Sequence, residues 1–187
     1  MRKIIAYLAT SADGYIARPD GDVAWLDRPR PPGDYGMPEF YRSVDTVLLG
    51  RRTWEMGVKL GQSSFKGKKN YVFSRSPKPA VAAGIEFVTE EVGTLARRLK
   101  SERGKDIWLV GGASLIGSFL DAGQVDDLIL HVIPVLIGEG IPLVEPGRRE
   151  LTLTLQSSQA YPDGVVRLHY ALGGRRPPAA SRLPPSD

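Results

Sequence analysis

Short apolar runs of strand length alternate with apolar stripes at helical spacing along most of the chain. Ile4 to Leu8 reads as a strand, ended by the turn cluster Ser11-Ala12-Asp13-Gly14. Thr46 to Leu49, Asn70 to Phe73, Ile85 to Val88, Ile107 to Val110 and Leu128 to Ile133 read as further buried strands. Between them the pattern predicts a short helix over Met37 to Ser43 and another starting over Arg51 to Met56. A longer helix follows an N-cap at Thr89, with Glu90 and Glu91 in its first turn and Val92, Leu95, Ala96 and Leu99 as its stripe, as far as Gly104. A last stripe of Leu115, Ile116, Phe119 and Leu120 stops at Gly123, a C-cap residue.

Strands alternating with helices imply a mainly parallel sheet, hence an α/β domain, here over residues 1–172. Leu151 to Leu155 and Val166 to Tyr170 alternate apolar and other residues as half-exposed antiparallel strands do, and form a hairpin around Pro162-Asp163-Gly164. Residues 173–187 are rich in proline and arginine without an apolar face, which predicts a flexible tail. A proline-rich turn, SRSPKPAVAAG, joins two of the strands. The stretch from Pro19 to Pro38 is too long for an idle connection in a compact domain and is expected to cover a site.

Composition narrows the chemistry. A length of 187 residues suits one domain, and no apolar run approaches the roughly 20 residues of a membrane span. The basic, apolar N-terminus is interrupted by Asp13 and reads as a strand rather than a leader, so a cytoplasmic protein is expected. With no cysteine, disulfides, thiolate catalysis and cysteine-based zinc sites are excluded, and His131 and His169 alone offer little to another metal. The net charge of +4 permits nucleic acid, but part of the excess sits in Arg175, Arg176 and Arg182 of the tail. Without a basic-aromatic stacking motif, a phosphorylated small ligand explains the remaining charge as well, and a nucleic-acid partner is not expected.

Three strand-to-loop corners point to such a ligand. At Gly50-Arg51-Arg52-Thr53 a glycine, a helix N-terminus and two guanidiniums coincide. At Ser74-Arg75 a hydroxyl and a guanidinium leave a strand together, which suits a phosphate monoester. At Gly111-Gly112-Ala113-Ser114, absent side chains let backbone N–H groups reach a pyrophosphate. Each corner alone has an ordinary structural explanation; together on one sheet edge they outline a phosphorylated dinucleotide. The single G-x-G-x-x-G fingerprint is absent.

The sequence resembles the dihydrofolate reductase-like superfamily, specifically the branch of the C-terminal reductase domain of the bacterial riboflavin-biosynthesis deaminase-reductase. The resemblance spans Arg2 to Leu172 and rests on the ordered motifs ADGYIA, VDTVLLGRRTWE, VFSRSP and IWLVGGASLIGSFL; a fifth, IPVLIGEGIPLV, favours the riboflavin branch. It implies a three-layer fold, with a mostly parallel central sheet, helices on both faces and an antiparallel C-terminal hairpin. It also implies NADPH as cofactor. By position Ala9, Ile16 and Ala17 would line the nicotinamide, while Gly50, Arg51, Arg52 and Thr53 would hold phosphates. Ser74 and Arg75 would read the 2'-phosphate, and Val110, Gly111, Gly112, Ala113, Ser114 and Leu115 would cradle the pyrophosphate.

On the substrate side the sequence departs from the family. Counting back from Gly50 puts Asp34 where dihydrofolate reductases carry their carboxylate, but Gly33, Gly36 and Pro38 oppose a helix there, and Glu39 is the better-placed alternative. Ile116 replaces an aromatic hydroxyl of the glycine-rich helix, which makes folate a doubtful substrate. His131 occupies a substrate-side polar position and could protonate a product nitrogen, or it is a strand histidine with a satisfied hydrogen bond. His169 and Arg167 read as surface residues of an outer strand. Trp25 and Leu26, with Tyr35 and Phe40, could close over a flat heterocycle or pin the loop to the core.

The expected function is NADPH-dependent hydride transfer to a pyrimidine- or pteridine-like substrate. Dihydrofolate reduction and NADPH binding without catalysis are the alternatives. The apolar segment Ile133 to Val144, with no helix to cover it, suggests a homodimer.

Overall fold

The computed structural model describes residues 1–75, 84–147 and 149–173. Most of the predicted proline-rich turn, and the predicted tail beyond Gly173, lie outside the described residues.

The strands are β1 (Ile4–Ser11), β2 (Tyr15–Ala17), β3 (Val44–Gly50), β4 (Lys69–Phe73), β5 (Ile85–Val88), β6 (Asp106–Gly111), β7 (Asp127–Ile133), β8 (Ile141–Pro142), β9 (Leu153–Ala160) and β10 (Val166–Leu172). Eight of them form one sheet in the order β5-β4-β3-β6-β1-β7-β10-β9. The strands from β5 to β7 in that order are parallel, and β10 and β9 add antiparallel at one side. The short β2 and β8 pair with each other.

The helices are α1 (Met37–Ser43), α2 (Arg51–Lys59), α3 (Val92–Ser101) and α4 (Ala113–Asp121). Along β1 the alternate residues Ile4 and Ala6 join Leu95, Leu99, Ile116 and Phe119 of α3 and α4 in one core. Ile5 and Tyr7 join Phe40 of α1 and Trp54 of α2 in the other. Helices on both faces explain why the parallel strands read as continuous apolar runs. Each fully buried Leu or Phe contributes about 1.5–3 kcal/mol to this sandwich. Among the described residues no helix is long and apolar enough to cross a membrane.

Three boundaries differ from the sequence pattern. Helix α3 is capped by Glu91 rather than Thr89: its carboxylate accepts from the N–H groups of Gly93 and Thr94, both at 2.8 Å. Gly123 lies one position past the Ala122 cap of α4, at φ 62°, and donates to the Leu120 carbonyl at 3.0 Å. Strand β9 runs closer to the turn than predicted; as an edge strand exposed along nearly its whole length, it carries no strong alternation to mark its ends.

Ile133 to Val144 is partly covered by the chain itself. Ala12 N–H donates to the Val135 carbonyl at 2.8 Å, Leu143 N–H to the Gly14 carbonyl at 3.0 Å, and the Asp13 carboxylate accepts from the Ile137 and Gly138 N–H groups. Leu143 and Val144 pack on the core. The chain thus covers part of this segment itself, while Leu136 stays 75 % exposed.

At the amino-terminal edge Arg2, 6 % exposed, ion-pairs with Asp45 and donates to Thr46 Oγ1 at 2.7 Å and to the Lys105 carbonyl at 2.5 Å. This clamp ties β1 to the starts of β3 and β6.

Candidate active site

The carboxyl ends of the parallel strands bring the three corners together. In the ladders Gly50 faces Phe73, and Leu49 faces Gly111. Ser74 prolongs the edge, its N–H donating to the Val88 carbonyl at 3.0 Å. A Cβ placed on Gly50 would lie 3.4 Å from the Gly111 carbonyl oxygen and 3.5 Å from the Gly112 nitrogen. One on Gly112 would lie 3.1 Å from Thr53 Oγ1 and 3.9 Å from Ile16 Cδ1. Gly50, Thr53, Gly111, Gly112 and Ile16 therefore converge at one point of this edge, the glycine notch. Gly50 and Gly112 are also the N-caps of α2 and α4, and neither helix has a side-chain cap for its first-turn N–H groups.

Around the notch the side chains differ in freedom. Arg51 donates through Nε to Glu55 at 2.8 Å, while Arg52 is exposed. Ser74 is buried and Arg75 exposed. Ala17, Ala113 and Leu115 are buried, Ala9 and Val110 half-buried, and Ser114 exposed. Gly111, at φ 116° with a cis peptide to Gly112, holds a conformation that favours glycine.

A second cluster lies on the α1 face of the sheet, where Ala9 of β1, His131 of β7 and Arg167 of β10 are ladder partners in turn. His131 is 5 % exposed, its Nε2 lying 3.3 Å from the Tyr35 carbonyl oxygen and 3.5 Å from the Tyr7 hydroxyl. Burial holds the imidazole below its ordinary range; the hydrogen bond to Tyr35 opposes this and the Arg167 charge adds to it. Tyr7 stacks on Phe40 at 4.1 Å between ring centres, and burial pushes its phenol well above the usual range. At neutral pH the pair is a neutral imidazole beside a protonated phenol. Two buried side-chain donors among the described residues lack a partner: Trp25 Nε1 and Arg167 Nε.

The long loop reaches this cluster by an unusual backbone path. Asp34 and Tyr35 take φ values of 42° and 56° between Gly33 and Gly36, and Tyr35 is thereby laid over His131 with its ring centre 5.9 Å away. The Tyr35 hydroxyl donates to Asp163 at 2.5 Å, and Arg28 donates to the Asp163 carbonyl at 2.7 Å. Burial and the Asp163 carboxylate raise the Tyr35 phenol to about 12. The loop is thus clamped to the β9–β10 turn, with Tyr35 against His131.

The two carboxylates fare differently from expectation. Glu39, with a side chain 67 % exposed, pairs with Arg42 at 2.8 Å, while its neighbour Phe40 is the α1 residue turned to the sheet. A seven-residue helix packed through Phe40 leaves Glu39 toward solvent, so it does not join the cluster. Asp34 is near enough for its charge to act on Tyr7 and His131, but its oxygens pair with Arg30 at 3.0 Å. Trp25 and Leu26 are half-buried in a single 3-10 turn.

Sequence reasoning did not single out Tyr7 and read Arg167 as a surface residue. Tyr7 was legible in principle, because it shares the strand face of Ala9 two residues on. Arg167 was not, since only the β7–β10 register sets it opposite His131, where it is half-buried. His169 also proves half-buried, 3.0 Å from the buried Asp127.

Comparison with known proteins agrees with this architecture. The RibD C-terminal domain family model matches residues 2–167. The protein YwjB of Bacillus subtilis (strain 168) is 39% identical over 170 residues, covering 90% of this chain and 97% of its own length. YyaP of the same strain is 33% identical over 185 residues, covering 92% and 96%. Among solved structures, a putative riboflavin biosynthesis protein from Shewanella sp. PV-4 superposes with a TM-score of 0.82 at 24% identity, over 93% of this chain and 100% of that one. The Thermotoga maritima diaminohydroxyphosphoribosylaminopyrimidine deaminase/5-amino-6-(5-phosphoribosylamino)uracil reductase gives a TM-score of 0.68 at 16% identity, over 91% of this chain and 56% of that longer one. The chain belongs to the RibD C-terminal domain family.

Proposed function

We propose that the protein is an NADPH-dependent reductase acting on a pyrimidine- or pteridine-like heterocycle, with 5-amino-6-(5-phosphoribosylamino)uracil reduction the nearest family activity. The observation that carries this reading is the adjacency of notch and cluster on one sheet: β6, β1 and β7 are neighbours, so the glycine notch leads across Ala9 to His131.

The residues present fit a dinucleotide. The notch is a cradle that a Cβ on Gly50 or Gly112 would narrow, and two uncapped helix N-termini meet it. In this reading Arg51, Arg52 and Thr53 hold phosphate oxygens, and Val110 to Leu115 follow the pyrophosphate. Ser74 and Arg75 read the 2'-phosphate, and Ala9, Ile16 and Ala17 line the nicotinamide. When bound, NADPH supplies the hydride. Tyr7 and Phe40 offer a flat wall for the heterocycle. His131, neutral at pH 7, orients a polar group or relays a proton through Tyr7, and does not store a proton itself.

Dihydrofolate reduction ranks lower, because α1 turns Phe40 and not a carboxylate to the sheet. The test is NADPH titration by fluorescence, followed by NADPH oxidation with dihydrofolate, dihydropterins and the riboflavin pyrimidine intermediate. Turnover on the pyrimidine intermediate supports the proposal. NADPH binding without turnover on any of them makes the protein a nucleotide binder, and absent NADPH binding sinks both readings.

A further inference from the structure

Resting on the reductase reading, we propose that Arg167 is a specificity-determining residue: its guanidinium pairs with an acceptor oxygen of the substrate, a ring carbonyl or an oxyanion, held beside His131. Arg167 stands directly opposite His131 in the β7–β10 ladder, so its side chain leaves the sheet on the face that carries Tyr7 and Phe40. Its Nε is buried without a partner among the described residues, while the residue as a whole is half-buried. A buried donor left unpaired costs about 1–3 kcal/mol, more when charged. A half-buried arginine with one sealed, unsatisfied N–H is therefore placed to receive an acceptor.

The neighbouring acids cannot neutralise it. Asp34 is engaged by Arg30, and Asp163 by Tyr35 and Arg28. Guanidinium and indole are both donor-only groups, so the two unpaired buried donors, Arg167 Nε and Trp25 Nε1, call for acceptors. A carboxylate in the site would select an amidine-like edge of a heterocycle. An arginine selects the opposite polarity, because its planar fork matches two acceptor oxygens or an oxyanion.

The test compares the full-length protein with Arg167→Met and Arg167→Lys. The probes are orotate, which offers carbonyl and carboxylate oxygens, and 2,4-diaminopyrimidine, which offers an amidine-like edge; binding is measured by calorimetry with and without NADPH. Expected is a preference of the parent for orotate that Arg167→Met lowers by roughly 10- to 100-fold, with Arg167→Lys between them. The Tm of Arg167→Met should equal or exceed the parent's, since an unpaired charge has been removed. A parent that holds both probes alike, or neither, overturns the proposal. A lower Tm with unchanged probe preference also overturns it, by making Arg167 structural. NADPH titration of the same samples reports separately: loss of NADPH binding in the parent would sink the reductase reading, while the NADPH-free probe data still decide Arg167.

Discussion

Gly50 and Gly111 end adjacent parallel strands so closely that a Cβ on Gly50 would lie 3.4 Å from the Gly111 carbonyl oxygen. The two glycines are not equivalent. Gly111 sits at φ 116° with a hypothetical Cβ 3.2 Å from Ile116 Cδ1, whereas Gly50 has an ordinary φ of −74°. Gly111→Ala should lose about 1–3 kcal/mol in chemical denaturation. Gly50→Ala should fold nearly normally and yet bind NADPH at least about tenfold more weakly, because one methyl narrows the cradle. Full NADPH affinity in Gly50→Ala would put the cofactor elsewhere.

Arg75 follows the buried Ser74 at the end of β4 and is exposed, in position to meet a phosphate monoester without displacing a protein partner from the core. Arg75→Ala should weaken NADPH about tenfold or more and NADH little, as expected for one charge-assisted contact to the 2'-phosphate. Competitive titration of both nucleotides decides this, and equal weakening counts against the assignment.

The parallel strands and the glycine corners were legible in the sequence for one reason: both are local. A strand buried on both faces is a continuous apolar run, and Gly50 and Gly111-Gly112 advertise a bare backbone wherever they sit. What β10 brings was not legible, because Arg167 gains its meaning only through a ladder register formed across a hairpin. Glu39 misled for a related reason. Its place in the sequence suits a catalytic carboxylate, but the rotation of a short helix is set by which residue buries most surface, and Phe40 wins that contest against Tyr7 and Trp108.

His131 makes stability depend on pH with a definite sign. Its folded pKa lies below the unfolded value of about 6.5, so below that pH the unfolded chain binds more protons than the native one. The contribution of neutral, buried His131 is therefore complete above pH 6.5 and is lost as pH falls toward the folded pKa. Thermal scans between pH 7.5 and 5 should show the parent losing stability on acidification and His131→Gln losing less. Parallel curves would mean that another group carries the titration.

Arg2 should matter to folding and not to chemistry, since it lies at the sheet edge opposite the notch. Its side chain is 4 % exposed against 35 % for Asp45, so Arg2→Met strands hydrogen-bond acceptors while leaving Asp45 partly solvated. A loss of about 2–4 kcal/mol follows, toward the lower side of that for breaking a fully buried pair. Urea titration measures it, and NADPH affinity at low temperature should stay at the parent value. A large drop in affinity would show that the clamp sets the geometry of the opposite edge.

Asp163 joins two parts of the molecule that sequence keeps far apart. It accepts from Tyr35 at 2.5 Å and lies 3.5 Å from Arg28 Nη2, so one carboxylate in the β9–β10 turn holds the loop over His131 from two directions. Both partners are largely shielded, with side chains 23 % and 25 % exposed for Asp163 and Arg28, which makes the contacts stronger than a surface pair. Tyr35→Phe removes one bond and keeps the ring on His131 and Tyr161; Asp163→Ala removes that bond and the ion pair, leaving Arg28 its 2.7 Å bond to the backbone carbonyl. The first should cost about 1 kcal/mol and the second more. If the loop forms part of the substrate wall, KM should rise in that order while the NADPH dissociation constant stays constant, because the glycine notch is built from other elements. Proteolysis should cut within 28–36 faster in Asp163→Ala. Unchanged cleavage and unchanged KM would show that the positive-φ path of Asp34 and Tyr35, and not the clamp, keeps the loop in place.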